Sequence, residues 1–143
     1  MEAPVITIFI VSSIFFLLAC SGSSNDLNMS TIEEIAKMIH EEVGNAEADS
    51  ADRCDMMPIG VKPAGGPWGY LVFSAEKSDR DKLERLVERY NELDAERNLE
   101  EGRMSTADFA TEPALTLKNG ACHGEGPYAW NPGYILDFND IDS

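Results

Sequence analysis

Apolar residues recur at the three- and four-residue spacing of an amphipathic helix in two stretches of the chain. The first stretch follows Ser30, which forms a capping-box pattern with Glu33, and it ends before Gly44. We expect one helix here, with Ser30 as its N-cap. Its predicted core-facing stripe consists of Ile32, Ile35, Ala36, Ile39 and Val43.

The second helical pattern starts near Ser78 or Asp79 and ends near Glu101, where Gly102 supplies the stop. Its predicted apolar stripe consists of Leu83, Leu86, Val87, Tyr90, Leu93 and Arg97. Charged residues occupy the rest of the helix surface. Because the stripe is too short to require a coiled-coil partner, we expect it to pack on the core.

Strand signals lie outside these helices. Ile59 and Val61 favour a short edge strand, and residues 68–73 favour a strand buried on both faces. Residues 114–118 predict another strand before the tight-turn dipeptide at residues 119–120, and residues 134–138 have the composition of a final strand. The elements predict one small α+β domain, in which two helices pack on a short antiparallel sheet.

The N-terminal apolar run, residues 5–19, is about 15 residues long, shorter than the roughly 20 that span a membrane. It ends at Leu17-Leu18-Ala19-Cys20, which resembles the lipobox of bacterial lipoproteins. The resemblance implies removal of residues 1–19 as a signal peptide and lipidation of Cys20, including an acyl chain such as palmitate. The run lacks a preceding Lys or Arg, so an ordinary cleaved signal or a short membrane anchor is the alternative.

Downstream of Cys20 we expect three segments. Residues 20–29 form a Ser- and Gly-rich flexible tether, residues 30–123 form the α+β domain, and residues 124–143 form an acidic extension rich in Gly, Pro and aromatic residues. In enterobacterial lipoproteins, Ser after the lipidated Cys accompanies outer-membrane sorting, and Ser21 stands there. We therefore expect an envelope protein anchored in the outer membrane, facing the periplasm or the cell surface.

The chain is strongly acidic, with 26 Asp and Glu against 11 Lys and Arg and a net charge of −15. Nucleic acids and anionic lipid surfaces require clustered positive charge, so they are excluded as partners. The charge suits cationic partners or divalent metals, although a solvated acidic surface explains it more simply. The partners we expect are the membrane, through the lipid on Cys20, and a protein of the envelope.

The chain has three cysteines. If Cys20 carries lipid, Cys54 and Cys122 remain as an even pair in an oxidising compartment, which predicts a disulfide. A metal site using Cys54, Cys122 and His123 is the alternative, but it lacks further ligands. Asn119 stands where a haem-attachment motif needs a cysteine, and the sequence implies no cofactor.

Three segments together resemble a group of small bacterial envelope lipoproteins with no assigned activity. These are GVKPAGGPW at residues 60–68, RYNEL at residues 89–93 and NGAC at residues 119–122. The group has cysteines where this chain has Ala64 and Ala107. The resemblance therefore implies a second disulfide lost as a unit, and it supplies no catalytic residues.

Candidate chemistry is sparse. Neither His40 nor His123 stands in a recognisable catalytic motif. We therefore expect a non-enzymatic binding, inhibitory or structural accessory protein. The alternative is a small envelope enzyme or metal-binding protein that uses His123 and nearby acidic residues.

Two regions have ligand-binding composition. Trp68 and Tyr70, beside three glycines, form the best candidate binding surface, although Trp68 has an alternative place in the core. Near the C-terminus, four oxygen-bearing residues resemble calcium ligands, but an acidic frayed end explains them more simply. They are Asp137, Asn139, Asp140 and Asp142.

Overall fold

The computed structural model describes Leu27 and residues 30–132. The proposed lipidation site Cys20, the signal peptide, the final strand at residues 134–138 and the acidic calcium candidates lie outside the described residues. Among the described residues, no helix combines the length and apolar character needed to cross a bilayer.

In the part of the chain that the structure describes, the domain contains two α-helices, five strands and a short 3-10 helix, Ala51–Arg53. The helices are α1 (Ile32–Val43) and α2 (Arg80–Glu101). The strands are β1 (Cys54–Ile59), β2 (Gly69–Ser74), β3 (Ala114–Lys118), β4 (Ala121–Glu125) and β5 (Ala129–Trp130).

The strands form two sheets. One has the order β1-β2-β5, with β1 antiparallel and β5 parallel to β2, and the other is the antiparallel β3-β4 hairpin. The predicted α+β class and the two helices are confirmed. One pairing differs from the predicted antiparallel sheet, since β5 runs parallel to β2. The sequence did not indicate β5, because a two-residue strand has too few positions to show a periodicity.

Helix α1 buries all five residues of its predicted stripe. Its N-cap is Thr31, so the assignment to Ser30 was wrong by one residue. Thr31 Oγ1 accepts a hydrogen bond from the Glu34 N–H at 3.2 Å, and Glu34 Oε2 accepts one from the Thr31 N–H at 2.8 Å. Ser30 and Thr31 are each followed three residues later by a glutamate, so the sequence pattern is satisfied equally by either register.

Helix α2 begins and ends as predicted, with Asp79 as its N-cap and Gly102 as its left-handed C-cap. Four predicted core residues are buried: Leu83, Leu86, Val87 and Tyr90. The other two members of the predicted stripe, Leu93 and Arg97, are only half-buried. Polar side chains replace them in the interior.

Strand β2 is the central strand of its sheet and is covered on both faces, as predicted for residues 68–73. Leu71 lies with α1 residues Ile39 and Val43 on the helix side. Val72 faces the hairpin, where a Cβ on Gly124 would stand 2.9 Å from the Val72 Cγ2. That close approach requires a glycine, and it places the β1-β2-β5 sheet between the helices and the hairpin.

The predicted disulfide between Cys54 and Cys122 is confirmed. It joins the start of β1 to β4, across a sequence separation of 68. Both sulfurs are therefore committed to each other, and the alternative metal site with His123 loses two of its three ligands.

The folded domain extends beyond the predicted boundaries. The boundary at residue 123 falls inside β4, and Trp130 in β5 packs edge-on against Tyr90 with ring centroids 6.4 Å apart. At the other end Leu27, placed in the predicted tether, packs against the core and accepts a hydrogen bond from Arg89 Nε at 3.1 Å.

Candidate functional site

Polar side chains on α2 hold the end of β1 and the loop that follows it, residues 60–68. Asn91 Oδ1 accepts the Gly60 N–H at 2.7 Å, and Asp94 Oδ2 accepts the Val61 N–H at 2.8 Å. Asn98 Nδ2 donates to the Val61 carbonyl at 2.6 Å. Backbone N–H and C=O groups just past the end of β1 therefore form hydrogen bonds with side chains of α2 instead of with a neighbouring strand.

Asp94 is the centre of this attachment and is 1% exposed. Its Oδ2 also accepts the Trp68 indole N–H at 3.0 Å, while Oδ1 lies 3.5 Å from Arg103 and 3.7 Å from Arg97. A buried carboxylate is tolerated only with such donors and cations around it. Burial, and then the charge of Asp94, raise the pKa of the neighbouring Tyr90.

Trp68, predicted as a binding residue, contributes to holding the loop of residues 60–68 in place. Two cations lie near its ring, with Lys62 Nζ 5.6 Å and the Arg103 guanidinium carbon 5.8 Å from its centroid. Gly60 has a φ of 75°, and a Cβ there would stand 2.4 Å from the Trp68 Cδ1. Glycine is therefore required by both the backbone and the indole.

Tyr70, the second predicted binding residue, is half-buried and contacts the segment after α2. Its hydroxyl donates to the Ala110 carbonyl at 3.5 Å. In the same region the Ala64 N–H donates to Ser105 Oγ at 3.1 Å. The loop of residues 60–68 therefore contacts the segment of residues 103–110, and these two segments contain Ala64 and Ala107.

Lys62 is a buried cation, 4% exposed, that ties three segments together. Its Nζ donates to the carbonyl and to Oδ2 of Asp108, both at 3.1 Å, and lies 5.5 Å from the Tyr128 ring centroid. The Tyr128 hydroxyl also donates to Asp108, and that bond raises the pKa of Tyr128. Hydrogen bonds from Thr106, Tyr128 and Lys62 hold the pKa of Asp108 far below its usual value.

An open groove lies between β1 and α2, with a volume of about 630 Å³. We call it the β1-α2 groove. It is lined by Met56, Met57, Pro58, Arg80, Glu84, Val87, Glu88, Asn91 and Glu92. Methionine, proline and valine form an apolar floor, and glutamates one helical turn apart form a wall. Asn91 joins the groove to the attached loop.

The histidines lie away from this groove. His40 is exposed on α1, and His123 is half-buried in β4 with Nε2 3.9 Å from Glu125 Oε1. Its neighbour Cys122 is in the disulfide. Within residues 30–132 and Leu27, no group of three or more His, Cys, Asp and Glu side chains is placed to hold a metal ion.

The sequence prediction missed the polar residues that build this face, above all Asn91, Asp94 and Asn98. Asp94 and Asn98 continue the buried stripe of α2, so their signal was a short polar residue at a core position. Comparisons of the chain with protein-family models, curated proteins and solved structures find no match. Function is therefore inferred from the residues alone.

Proposed function

We propose that this protein is a lipid-anchored bacterial envelope protein whose domain is a non-enzymatic binding module for a protein partner. The observation that carries the proposal is the β1-α2 groove, an open surface of about 630 Å³ with an apolar floor. Its lining includes no Cys, His, Ser or Thr, so it holds no hydroxyl or thiol nucleophile paired with an imidazole base. Such a surface is suited to contact rather than to bond breaking.

The frame around the groove supports this role because β1 is fixed at both ends. The disulfide holds its start, and the Asn91 and Asp94 side chains hold the backbone just past its end. A surface that is already ordered loses less conformational entropy when a partner binds. The groove is therefore preorganised for recognition.

The cellular location proposed for the domain rests on the sequence. The Leu17-Leu18-Ala19-Cys20 motif supports a lipid on Cys20, and the Cys54–Cys122 disulfide suits an oxidising compartment. Together with Ser21 after the lipidated Cys, they support the proposed anchoring in the outer membrane, where a partner would be another envelope protein.

Photocrosslinking in the intact bacterium tests the binding role. A photoreactive residue replaces Met56 in the groove, and a matched control carries it at Glu41, exposed on α1. We expect a discrete protein adduct from position 56 that position 41 does not give. Equal adducts from both positions would contradict a groove-specific partner.

Mass spectrometry of the N-terminal peptide tests the anchor separately. We expect the mature chain to begin at Cys20 and to carry diacylglyceryl and acyl groups. An unmodified Cys20 would overturn the placement at a membrane, whatever the crosslinking shows.

A further inference from the structure

We infer that the β1-α2 groove binds a cationic amphipathic segment of the partner, with Lys or Arg on one side and apolar residues on the other. The inference rests on the proposed function and specifies its partner chemistry. Three features of the groove carry it: the outer edge of β1, the glutamate wall and the apolar floor.

The outer edge of β1 presents carbonyl groups. The Arg53 carbonyl accepts from the Ala75 N–H at 2.9 Å, and the Ile59 carbonyl accepts from the Trp68 N–H at 3.1 Å, so both point toward the β2 side. Backbone groups alternate in direction along a strand, and β1 is an edge strand. The carbonyls of Met56 and Pro58 therefore point outward.

The same edge offers no N–H donor at its outward-facing positions. Pro58 has no N–H, the Met56 N–H donates to Asp55 Oδ1 at 2.8 Å, and the Cys54 N–H donates to the Ala51 carbonyl. An added strand needs donors as well as acceptors, so backbone pairing with a partner is blocked. The edge instead suits side chains that only donate, which are those of Lys and Arg.

The glutamate wall of the groove also favours a positively charged partner. Glu84, Glu88 and Glu92 follow one another at one-turn spacing. Arg80 is bonded to Asp55 and Glu84, and Arg89 is bonded to Glu92, so with Asp55 the groove has four carboxylates against two arginines. Glu88 is exposed. With a chain net charge of −15, the field in the groove is negative and attracts cations.

The floor requires the partner to be apolar as well. Met56 is half-buried, Pro58 is exposed and Val87 closes the floor from α2. Methionine adapts its shape to varied apolar surfaces. A segment with separate cationic and apolar sides thus matches both halves of the groove, whereas a uniformly charged segment would leave the floor uncovered.

Synthetic peptides test the inference on the full-length lipidated protein in uncharged detergent micelles, with empty micelles subtracted. The probe is an amphipathic Leu/Lys peptide of about 14 residues, roughly four helical turns. A second peptide has Gln at every Lys position. By fluorescence anisotropy we expect the Leu/Lys peptide to bind about tenfold more tightly, a preference that high salt reduces.

Paired variants locate the binding. E88Q/E92Q removes two acidic groups from the groove, and E96Q/E100Q removes two from the same helix outside it. We expect the first to weaken Leu/Lys binding roughly three- to tenfold and the second less than about twofold. Met56→Arg, which places a cation on the floor, should abolish binding. Circular dichroism confirms that each variant is folded.

Equal affinity for the Leu/Lys and Leu/Gln peptides would overturn the inference, as would equal effects of the two double variants. Either result leaves the proposed function standing if crosslinking from position 56 succeeds. Absence of a position-specific adduct would instead remove the proposed function itself. The two failures are therefore distinguishable.

Discussion

The two ends of β1 are held by opposite means. Its start is joined to β4 by the Cys54–Cys122 disulfide, a single covalent link across the sheet-hairpin interface. Just past its end, the backbone of Gly60 and Val61 is held by side chains of α2, through several hydrogen bonds centred on the buried Asp94. One end depends on the redox state of its compartment, and the other depends on complete pairing of polar groups.

The contrast shows how a domain of this size divides its stabilisation. A disulfide acts chiefly on the unfolded chain, whose freedom it restricts. A buried polar network acts on the folded state, where each member is needed because an unpaired buried group is costly. We therefore expect removal of the disulfide to lower the global stability of the domain. Removal of the polar contacts should lower it too and should also release the loop of residues 60–68.

Removal of the disulfide should have the largest effect. For C54A/C122A we expect a loss of about 4 kcal/mol in the free energy of unfolding, because the bond closes a long loop across a sequence separation of 68. Urea denaturation measures it, and wild-type protein under strong reductant is the control. A loss below about 1 kcal/mol would show that the disulfide does not stabilise the domain more than the polar contacts around Asp94 do.

Asp94→Ala should come next, with a loss of about 3 kcal/mol, because it removes the acceptor of the Val61 and Trp68 N–H groups and a carboxylate next to two arginines. Hydrogen exchange should show loss of protection at residues 60–68 but not at residues 46–48, whose backbone is hydrogen-bonded to residues 120 and 122 beside the disulfide. Asp94→Asn, which keeps an acceptor oxygen, is the control and should lose less. Equal deprotection of both segments would remove the distinction between the two ends.

Gly60→Ala should lose about 2 kcal/mol, because the new Cβ meets the Trp68 indole and the backbone has a positive φ. Gly65→Ala is a matched control, since Gly65 also has a positive φ, 101°, but nothing lies within 4 Å of its added Cβ. The difference between the two variants in urea denaturation measures the indole contact alone. Equal losses would mean that backbone strain, and not Trp68, sets the requirement.

Acidification should have the smallest effect, and we expect it to act on the loop of residues 60–68 through Asp108. The pKa of Asp108 in the folded protein lies below its usual value of 3.8, so its contribution to stability is complete above that pH. It is lost progressively as the pH falls below 3.8 toward the folded-state pKa. We expect amide protection at residues 60–68, measured relative to the intrinsic exchange rate at each pH, to fall there before protection at residues 46–48.

Asp108→Asn provides the control for this pH dependence, because it removes the titrating carboxylate that contacts Lys62. The variant should show the lower protection at residues 60–68 at every pH, without a further loss of protection in acid. An unchanged acid response in the variant would assign the effect to another group.

The disulfide at the start of β1 was predictable from the sequence, whereas the polar contacts just past the end of β1 were not. Once Cys20 is assigned to lipid, the two remaining cysteines have only each other, and no geometry is needed to pair them. Asp94 and Asn98, by contrast, stand at core positions of the α2 stripe, but the stripe does not show which groups they bind. Their partners depend on where the Gly60–Val61 backbone passes, which the periodicity of α2 does not contain.

Helices were predicted better than strand partners for a related reason. The α1 and α2 stripes repeat over many residues, so their spacing identifies the buried side. The β5 strand has two residues, and its parallel pairing with β2 arises from the path of the chain after β4. The β1-α2 groove likewise forms where two distant elements meet, so no single stretch of sequence indicates it.

The donor-free edge of β1 has a consequence for how copies of the protein would coexist. Molecules fixed to a bilayer meet each other at high lateral density, and an open strand edge invites sheet growth from one copy to the next. Because Pro58 lacks an N–H and the Met56 N–H is occupied by Asp55, a neighbouring copy finds no ladder to extend at the β1 edge. With the anchor proposed at Cys20, crowding at a membrane surface would therefore not cover the groove by strand addition at β1.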